Sequence, residues 1–250
     1  MTTRKLTPPT IAYTSLALII LWHLLLPGYI ITLDMAWSPN IRFPDAFYGL
    51  EADPIRLIST PFRLTVWLLS QIVASDIVQK ALLFAVFFFA GLGAHCLCPT
   101  KSEYGRYFAG ILYAVNPFIY TRFMVGHLGL MLAYATLPYT INSALKLLKE
   151  PSLKRSIELA LLITLNLLLD IHYIFILGLP LLFLVVFRVV EIGWRSFKLL
   201  IYFASTALLY IALNLYWLIP YLTGSIGEPI IEAFSYQDLI AFASKIWVRV

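Results

Sequence analysis

Long apolar runs separated by short polar segments dominate the sequence. Seven runs approach or exceed the length that crosses a ~30 Å hydrocarbon core at ~1.5 Å per residue. They cover residues 11–33, 77–97, 107–124, 128–145, 156–169, 173–190 and 197–222. The pattern predicts an all-α fold, a polytopic transmembrane helical bundle of about seven spans.

Two segments lie outside this pattern. Between the first two runs, Leu64, Leu68 and Ile72 recur on one helical face with Arg63 and Gln71 opposite, which predicts an amphipathic interfacial helix in the first outer loop. Residues 223–250 contain no further span. We therefore expect a transmembrane domain over 1–222, followed by the start of an outer loop or C-terminal region of a longer protein.

Composition and charge support a multi-pass protein of the cell membrane. Hydrophobic residues make up 61% of the chain and charged residues 12%, about half the charged share of a soluble domain. With seven spans, eleven of the 18 lysines and arginines fall on the N-terminal side of the membrane and six on the other, with Lys80 inside a span. This bias predicts a cytoplasmic N-terminus. The net charge of +5 suits anionic membrane lipids, and we expect no nucleic acid partner.

Several polar residues stand where the helical pattern is interrupted. Asp34 follows the first run directly, and Pro117 predicts a break in the third span, followed by a tight connection over residues 120–127. The run 156–169 is short, about 21 Å as a helix, so Asp170 and His172 are expected below the outer interface and facing a cavity. His95, Cys96 and Cys98 form His-Cys-x-Cys, a weak zinc signal without a second pair of ligands.

A set of short motifs adds a family resemblance. The set consists of Asp34 after the first span, Val78-Gln79-Lys80-Ala81, Tyr113-Ala114-Val115-Asn116-Pro117-Phe118, Arg122, Gly126-His127-Leu128-Gly129 and Asn214-Leu215-Tyr216-Trp217-Leu218-Ile219-Pro220. It resembles the N-terminal membrane region of GT-C glycosyltransferases, most of all the α-(1→3)-arabinofuranosyltransferase group and its archaeal relatives. The resemblance implies an inverting membrane glycosyltransferase of the cell envelope, with a polyprenyl-phosphate-linked sugar as donor and an extracytoplasmic active face.

The resemblance also implies roles for particular residues. Asp34 is the expected catalytic base for the acceptor hydroxyl, and Arg122 is expected to bind the donor phosphate with help from His127. We expect the three to share one outward-facing cavity. Asp170, His172, Glu51 and Asp53 are candidates for acceptor binding or for lining that cavity. A divalent cation held by the oxygen ligands of Glu51 and Asp53 is left open.

Each assignment has an ordinary structural alternative. Asp34 fits a helix cap or a solvated loop carboxylate, and Arg122 fits an interfacial anchor. Asp170 and His172 fit a local pair at a helix turn, and loop carboxylates such as Glu51 are usually solvated. For the whole chain, the alternatives are a transporter or flippase-like carrier of lipid-linked sugars and a non-catalytic membrane subunit. Relatives have more helices, so a second polypeptide completing the fold is an expected partner.

Overall fold

In the computed structural model, the structure describes residues 7–35, 37, 39, 41, 57–193 and 197–223. This part of the chain is helical and contains no strand. Its helices are α1 (Thr7–Leu21, continued by a 3₁₀ turn, Trp22–Leu25), α2 (Thr60–Ile72), α3 (Ser75–Leu97), α4 (Glu103–Ala114), α5 (Pro117–Val125), α6 (Leu128–Lys149), α7 (Leu153–Leu169), α8 (Tyr173–Ile192) and α9 (Phe197–Leu222). The predicted all-α class is confirmed.

Four helical segments in the described residues are long and apolar enough to cross a membrane. They are Thr7–Leu25, Ser75–Leu97, Glu103–Val125 and Phe197–Leu222. The other predicted spans also fall on helices, namely α6, α7 and α8, but the number seven stays a prediction. Large apolar side chains are exposed along α8, among them Phe175, Phe183 and Phe187. Such surfaces are typical of helices that contact lipid.

Helix α3 forms the centre of the packing. It contacts α1, α4 and α6, while α7 packs between α6 and α9. Half of the most apolar stretch of α3 is buried, compared with 17% of the corresponding stretch of α9. Leu83, Val86 and Phe87 of α3 join Met131 of α6 and Leu21 of α1 in the largest buried apolar cluster. Helices α1, α4 and α6 are therefore positioned by their contacts with α3.

Small residues allow α1, α3 and α4 to approach closely. The buried ring of Tyr13 lies over Gly91 of α3 and Gly110 of α4, and a Cβ on Gly110 would lie 2.6 Å from the Gly91 carbonyl oxygen. The Tyr13 hydroxyl forms a hydrogen bond of 3.2 Å with His95 Nδ1. Small residues at helix crossings are the usual means of close packing in membranes.

Polar side chains connect the helices on the other side of the core. Asn166 of α7, fully buried, donates to Thr140 Oγ1 at 2.8 Å and accepts from Thr136 at 3.1 Å, both on α6. Asn214 of α9 donates to Thr164 Oγ1 at 3.2 Å. Hydrogen bonds of this kind stabilise helix pairs in an apolar environment by about 1 kcal/mol or less each.

The structure corrects three of the predicted boundaries. The first helical segment ends at Leu25, not at residue 33, because Pro27 and Gly28, which has a φ of +119°, follow it. The break before Pro117 is confirmed, but residues 117–125 form α5 where a connection was predicted. Helix α7 has 17 residues, about 25 Å, so it is longer than the run 156–169. The amphipathic helix is present as α2, and its Leu68 and Ile72 are exposed.

The glycine packing generates a stability prediction. Gly110→Ala places a Cβ 2.0 Å from the Tyr13 hydroxyl oxygen as well as against the Gly91 backbone, so α4 must move away from α3. We expect the free energy of unfolding to fall by roughly 1–3 kcal/mol, the usual cost of overpacking. Thermal unfolding in detergent measures the change.

Gly178→Ala is the matched control, because nothing lies within 4 Å of its Cβ on α8 and alanine favours helix. Equal unfolding temperatures for the two variants would contradict the packing described for Gly110.

Candidate functional site

Asp34, His127 and Arg122 form one hydrogen-bonded chain. Nε2 of His127 lies 2.5 Å from Oδ2 of Asp34, and Nδ1 of the same ring lies 3.3 Å from NH1 of Arg122. A guanidinium only donates, so Nδ1 is the acceptor and Nε2 carries the proton that His127 donates to Asp34. The three residues therefore meet at one place, whereas the outward-facing cavity that they were expected to share stays a prediction.

These three hydrogen-bonded side chains lie at the end of the bundle where α3 and α6 begin, called here the Asp34 end. The side chains of Asp34 and His127 are 47% and 32% exposed, so neither is closed off by the protein. Among the described residues, Oδ1 of Asp34 has no hydrogen-bond partner. Arg122 stacks its guanidinium over the Phe118 ring at 5.5 Å from the centroid, and its buried Nε is unpaired. The site thus presents a carboxylate oxygen beside a cation.

A glycine turn brings Arg122 and His127 together. Helix α5 ends at Gly126, which has a φ of +96°, and the N–H groups of Gly126 and His127 both donate to the Arg122 carbonyl oxygen, at 2.9 and 3.0 Å. The Asp34 N–H donates to the Val125 carbonyl oxygen at 2.9 Å. A Cβ on Gly126 would lie 1.9 Å from Thr32 Oγ1. Only glycine fits both this backbone conformation and this contact.

The segment that carries Asp34, residues 26–35, is held on the first turns of α3. Gln79, fully buried, accepts from the Ile30 N–H at 3.0 Å and donates to the Ile30 carbonyl oxygen at 2.6 Å. Lys80 donates to the Leu26 carbonyl oxygen at 2.6 Å and forms an ion pair with Asp76 at 3.2 Å. Side chains of α3 therefore satisfy the buried polar groups of Leu26 and Ile30 in this non-helical backbone.

The other side of the site is supported by two stacked tyrosines. The rings of Tyr113 in α4 and Tyr134 in α6 lie 4.1 Å apart with an angle of 10° between their planes, and each hydroxyl donates to the other's carbonyl oxygen. Asn116 caps α5 by accepting from the Ile119 N–H, and its amide donates to the Tyr134 hydroxyl at 3.0 Å. The break between α4 and α5 is thereby rigidly held.

A cavity of about 640 Å³ borders the segment that carries Asp34. It is mostly apolar, with the Lys80 and Asp76 ion pair at its polar side. Its lining residues are Leu25, Pro27, Asp76, Ile77, Lys80, Ala81 and Phe84. An elongated apolar group with a charged end matches this lining.

Asp170 and His172 lie at the same end but outside the hydrogen-bonded chain. Asp170 Oδ1 accepts from the His172 N–H at 2.9 Å and lies 2.8 Å from its ring Nδ1, which is the local pair considered as the alternative. Their neighbour Leu169 meets α6 at Gly129, where a Cβ would lie 2.4 Å from the Leu169 carbonyl oxygen. The pair is thus adjacent to the site, and the His172 side chain is 77% exposed.

The remaining candidates concern metal binding. Glu51 and Asp53 lie outside the residues that the structure describes. Within the described residues, no group of three or more His, Cys, Asp or Glu side chains is arranged to hold a metal ion. Cys96 and Cys98 are not joined in a disulfide. His95 contacts Tyr13 and Tyr107.

Sequence reasoning missed the residues that position the site. Gln79 and Gly126 both occur in the motifs quoted above, but neither was assigned a role. A buried amide within an apolar span was the available signal for Gln79. A glycine immediately after an arginine-bearing helix was the signal for Gly126.

Replacing Gln79 tests whether this residue holds the segment that carries Asp34. Gln79→Ala leaves the N–H and carbonyl groups of Ile30 without their partners, at roughly 1–3 kcal/mol for each group that stays unsatisfied. We expect faster hydrogen–deuterium exchange over residues 29–35 and lower thermal stability. Gln71→Ala is the control, since Gln71 is exposed on α2 and bonds only to its own helix; matching exchange in both variants would refute the role of Gln79.

Gly126 generates a second prediction. Gly126→Ala combines an unfavourable φ with a Cβ 2.8 Å from that of Met35, so we expect the segment bearing Asp34 to separate from α5. Gly193→Ala is the control for a substitution at a glycine of positive φ, +63°, because nothing lies within 4 Å of a Cβ built there. Exchange of the Asp34 amide should rise only in the first variant; protection in both would exclude the contact.

Comparisons of the chain with models of protein families, with curated proteins and with solved structures gave no match. The resemblance to GT-C glycosyltransferases therefore depends on the quoted motifs alone. A functional argument has to start from the site, because a fold by itself does not specify an activity.

Proposed function

We propose that this chain is a membrane glycosyltransferase of GT-C type. It transfers a sugar from a polyprenyl-phosphate donor to a glycan, lipid or protein acceptor at the extracytoplasmic face. The observation that carries the proposal is the chain Asp34–His127–Arg122, in which a carboxylate, an imidazole and a guanidinium meet at one end of a helical membrane bundle. These groups meet the chemical needs of inverting sugar transfer.

In the proposed reaction, Asp34 is the general base. Its Oδ1 takes the proton of the acceptor hydroxyl while that oxygen forms a bond to the anomeric carbon of the sugar. His127 donates to Oδ2 at 2.5 Å, which orients the carboxylate toward the acceptor and takes the place of the help with the donor phosphate that was expected of His127. A positioned base of this kind contributes roughly 10²–10⁴-fold to the rate.

Arg122 acts on the leaving group. The bond between the anomeric carbon and the phosphate oxygen breaks, the electron pair stays on that oxygen, and polyprenyl phosphate leaves with increased negative charge. A guanidinium fork binds phosphate and stabilises such charge. The stacking on Phe118 and the bond to His127 limit the motion of Arg122 and support this role.

The apolar cavity beside Lys80 supports a lipid-linked donor. Leu25, Ala81 and Phe84 line it, and isoprenoid units pack well against such side chains. The cavity borders the segment that leads to Asp34. In the proposed complex, the isoprenoid chain of the donor lies in this cavity and its phosphate points toward Asp34.

The proposal is tested by sugar transfer from a panel of polyprenyl-phosphate sugars to glycan acceptors, with protein in lipid nanodiscs. We expect Asp34→Asn to lower kcat by roughly 10²–10⁴-fold and Arg122→Gln to lower it as well. Because His127 acts through Asp34, the double variant Asp34→Asn/His127→Gln should be no slower than Asp34→Asn alone. Glu191→Gln, an exposed carboxylate at the opposite end, is the control.

Two results would overturn the proposal. In the first, protein in vesicles of the same lipid composition moves lipid-linked sugars across the membrane but transfers no sugar to an acceptor, which would establish a carrier. Transfer by Asp34→Asn at the wild-type rate would exclude Asp34 as the base.

A further inference from the structure

A second cavity, of about 650 Å³, lies at the opposite end of the bundle. Helix α6 has 22 residues, about 33 Å, and connects the Asp34 end to this end. The lining residues come from α6, the α6–α7 connection, α7 and α9, and are Lys146, Glu150, Pro151, Ser152, Lys154, Arg155, Glu158 and Lys198. The function proposed above does not use this cavity.

The cavity has an excess of positive charge. Four cationic and two anionic side chains line it. Arg155 is paired with Glu150, and Lys146 lies 3.9 Å from Glu158. Among the described residues, Lys154 and Lys198 make no ion pair, so their two charges are available to an anionic ligand.

The positions of these two lysines are set by a buried contact. Ser156 in the first turn of α7 is fully buried, and its hydroxyl donates to the Tyr202 carbonyl oxygen of α9 at 2.9 Å. Lys198 lies one turn before Tyr202, so this bond brings it to the same cavity as Lys154. The first N–H groups of α7 add positive potential, because Ser152 makes no side-chain cap there.

Apolar neighbours indicate where the ligand comes from. Leu153 and Phe197 precede the two lysines in the sequence, and their side chains are 55% and 71% exposed. An exposed apolar side chain next to each lysine is typical of residues at a membrane interface. Basic pockets between membrane helices at such an interface bind phosphate-bearing lipid headgroups. A free phosphate in solution would need no exposed apolar side chains beside the two lysines.

We propose that this cavity binds the phosphate headgroup of an anionic phospholipid in the leaflet at that end. Lys154 and Lys198 bind the phosphate oxygens. The acyl chains lie along Leu153 and Phe197. Glu150 and Glu158 stay paired with Arg155 and Lys146 and favour a single phosphate over a more highly charged ligand.

Lipid binding by the full chain in detergent tests the proposal. Native mass spectrometry would compare phosphatidylglycerol with phosphatidylcholine, and inorganic phosphate would be added as a competitor. We expect the wild type to prefer phosphatidylglycerol. This preference should fall roughly 30-fold in Lys154→Gln/Lys198→Gln, because each lysine contributes about 1 kcal/mol to the binding of an anionic lipid. Lys154→Arg/Lys198→Arg, which keeps both charges, should retain the preference.

Lys101→Gln/Lys149→Gln is the matched control, because it removes two exposed lysines at the same end that do not line the cavity. Equal loss of the preference in this control would overturn the site in favour of a general charge effect. Equal affinity for both lipids in the wild type would overturn it too. Displacement of the lipid by millimolar inorganic phosphate would assign the cavity to a soluble anion and exclude the lipid.

Discussion

The structure depends on how the chain leaves its first helix without losing backbone hydrogen bonds. Pro27 and Gly28 end that helix, and the non-helical backbone that follows needs partners for its buried N–H and carbonyl groups. Gln79 resolves this by bonding to both polar groups of Ile30. Because Gln79 belongs to the central helix, the position of Asp34 is tied to the best-packed part of the bundle.

The hydrogen bonds between Gln79 and Ile30 also help to explain why three residues that are distant in the sequence form one site. Asp34 belongs to the segment held by α3, whereas Arg122 and His127 belong to α5 and the turn before α6. Gly126 lets these two parts touch, since any side chain there would collide with Thr32. The hydrogen bond from Asp34 to Val125 then sets the distance between carboxylate and imidazole. Backbone contacts therefore determine the geometry of the site, and the attraction among the carboxylate, the imidazole and the guanidinium adds to it.

The sequence predicted those features that depend on residues close together in the chain, and missed those that depend on contacts between distant residues. Most helices, and the break before Pro117, depend on local signals and were predicted, but the helix α5 that follows the break was not. Asp34, Arg122 and His127 were grouped by the family resemblance, which assigned all three to one site at the outer face. The helix end at Leu25 was missed because residues 29–33 are apolar, and hydropathy does not separate a helix from an extended segment. The partner of Gln79 was missed because a backbone group 49 residues away leaves no side-chain pattern.

The two ends of the bundle differ in chemistry in a way that fits a one-sided function. At the Asp34 end, acidic and basic groups are joined in a chain whose charges largely offset one another, which leaves a carboxylate oxygen for a neutral hydroxyl. At the opposite end, Lys154 and Lys198 leave charge unbalanced beside exposed apolar side chains. The anionic headgroup proposed for that cavity would add attraction at this end of the bundle only.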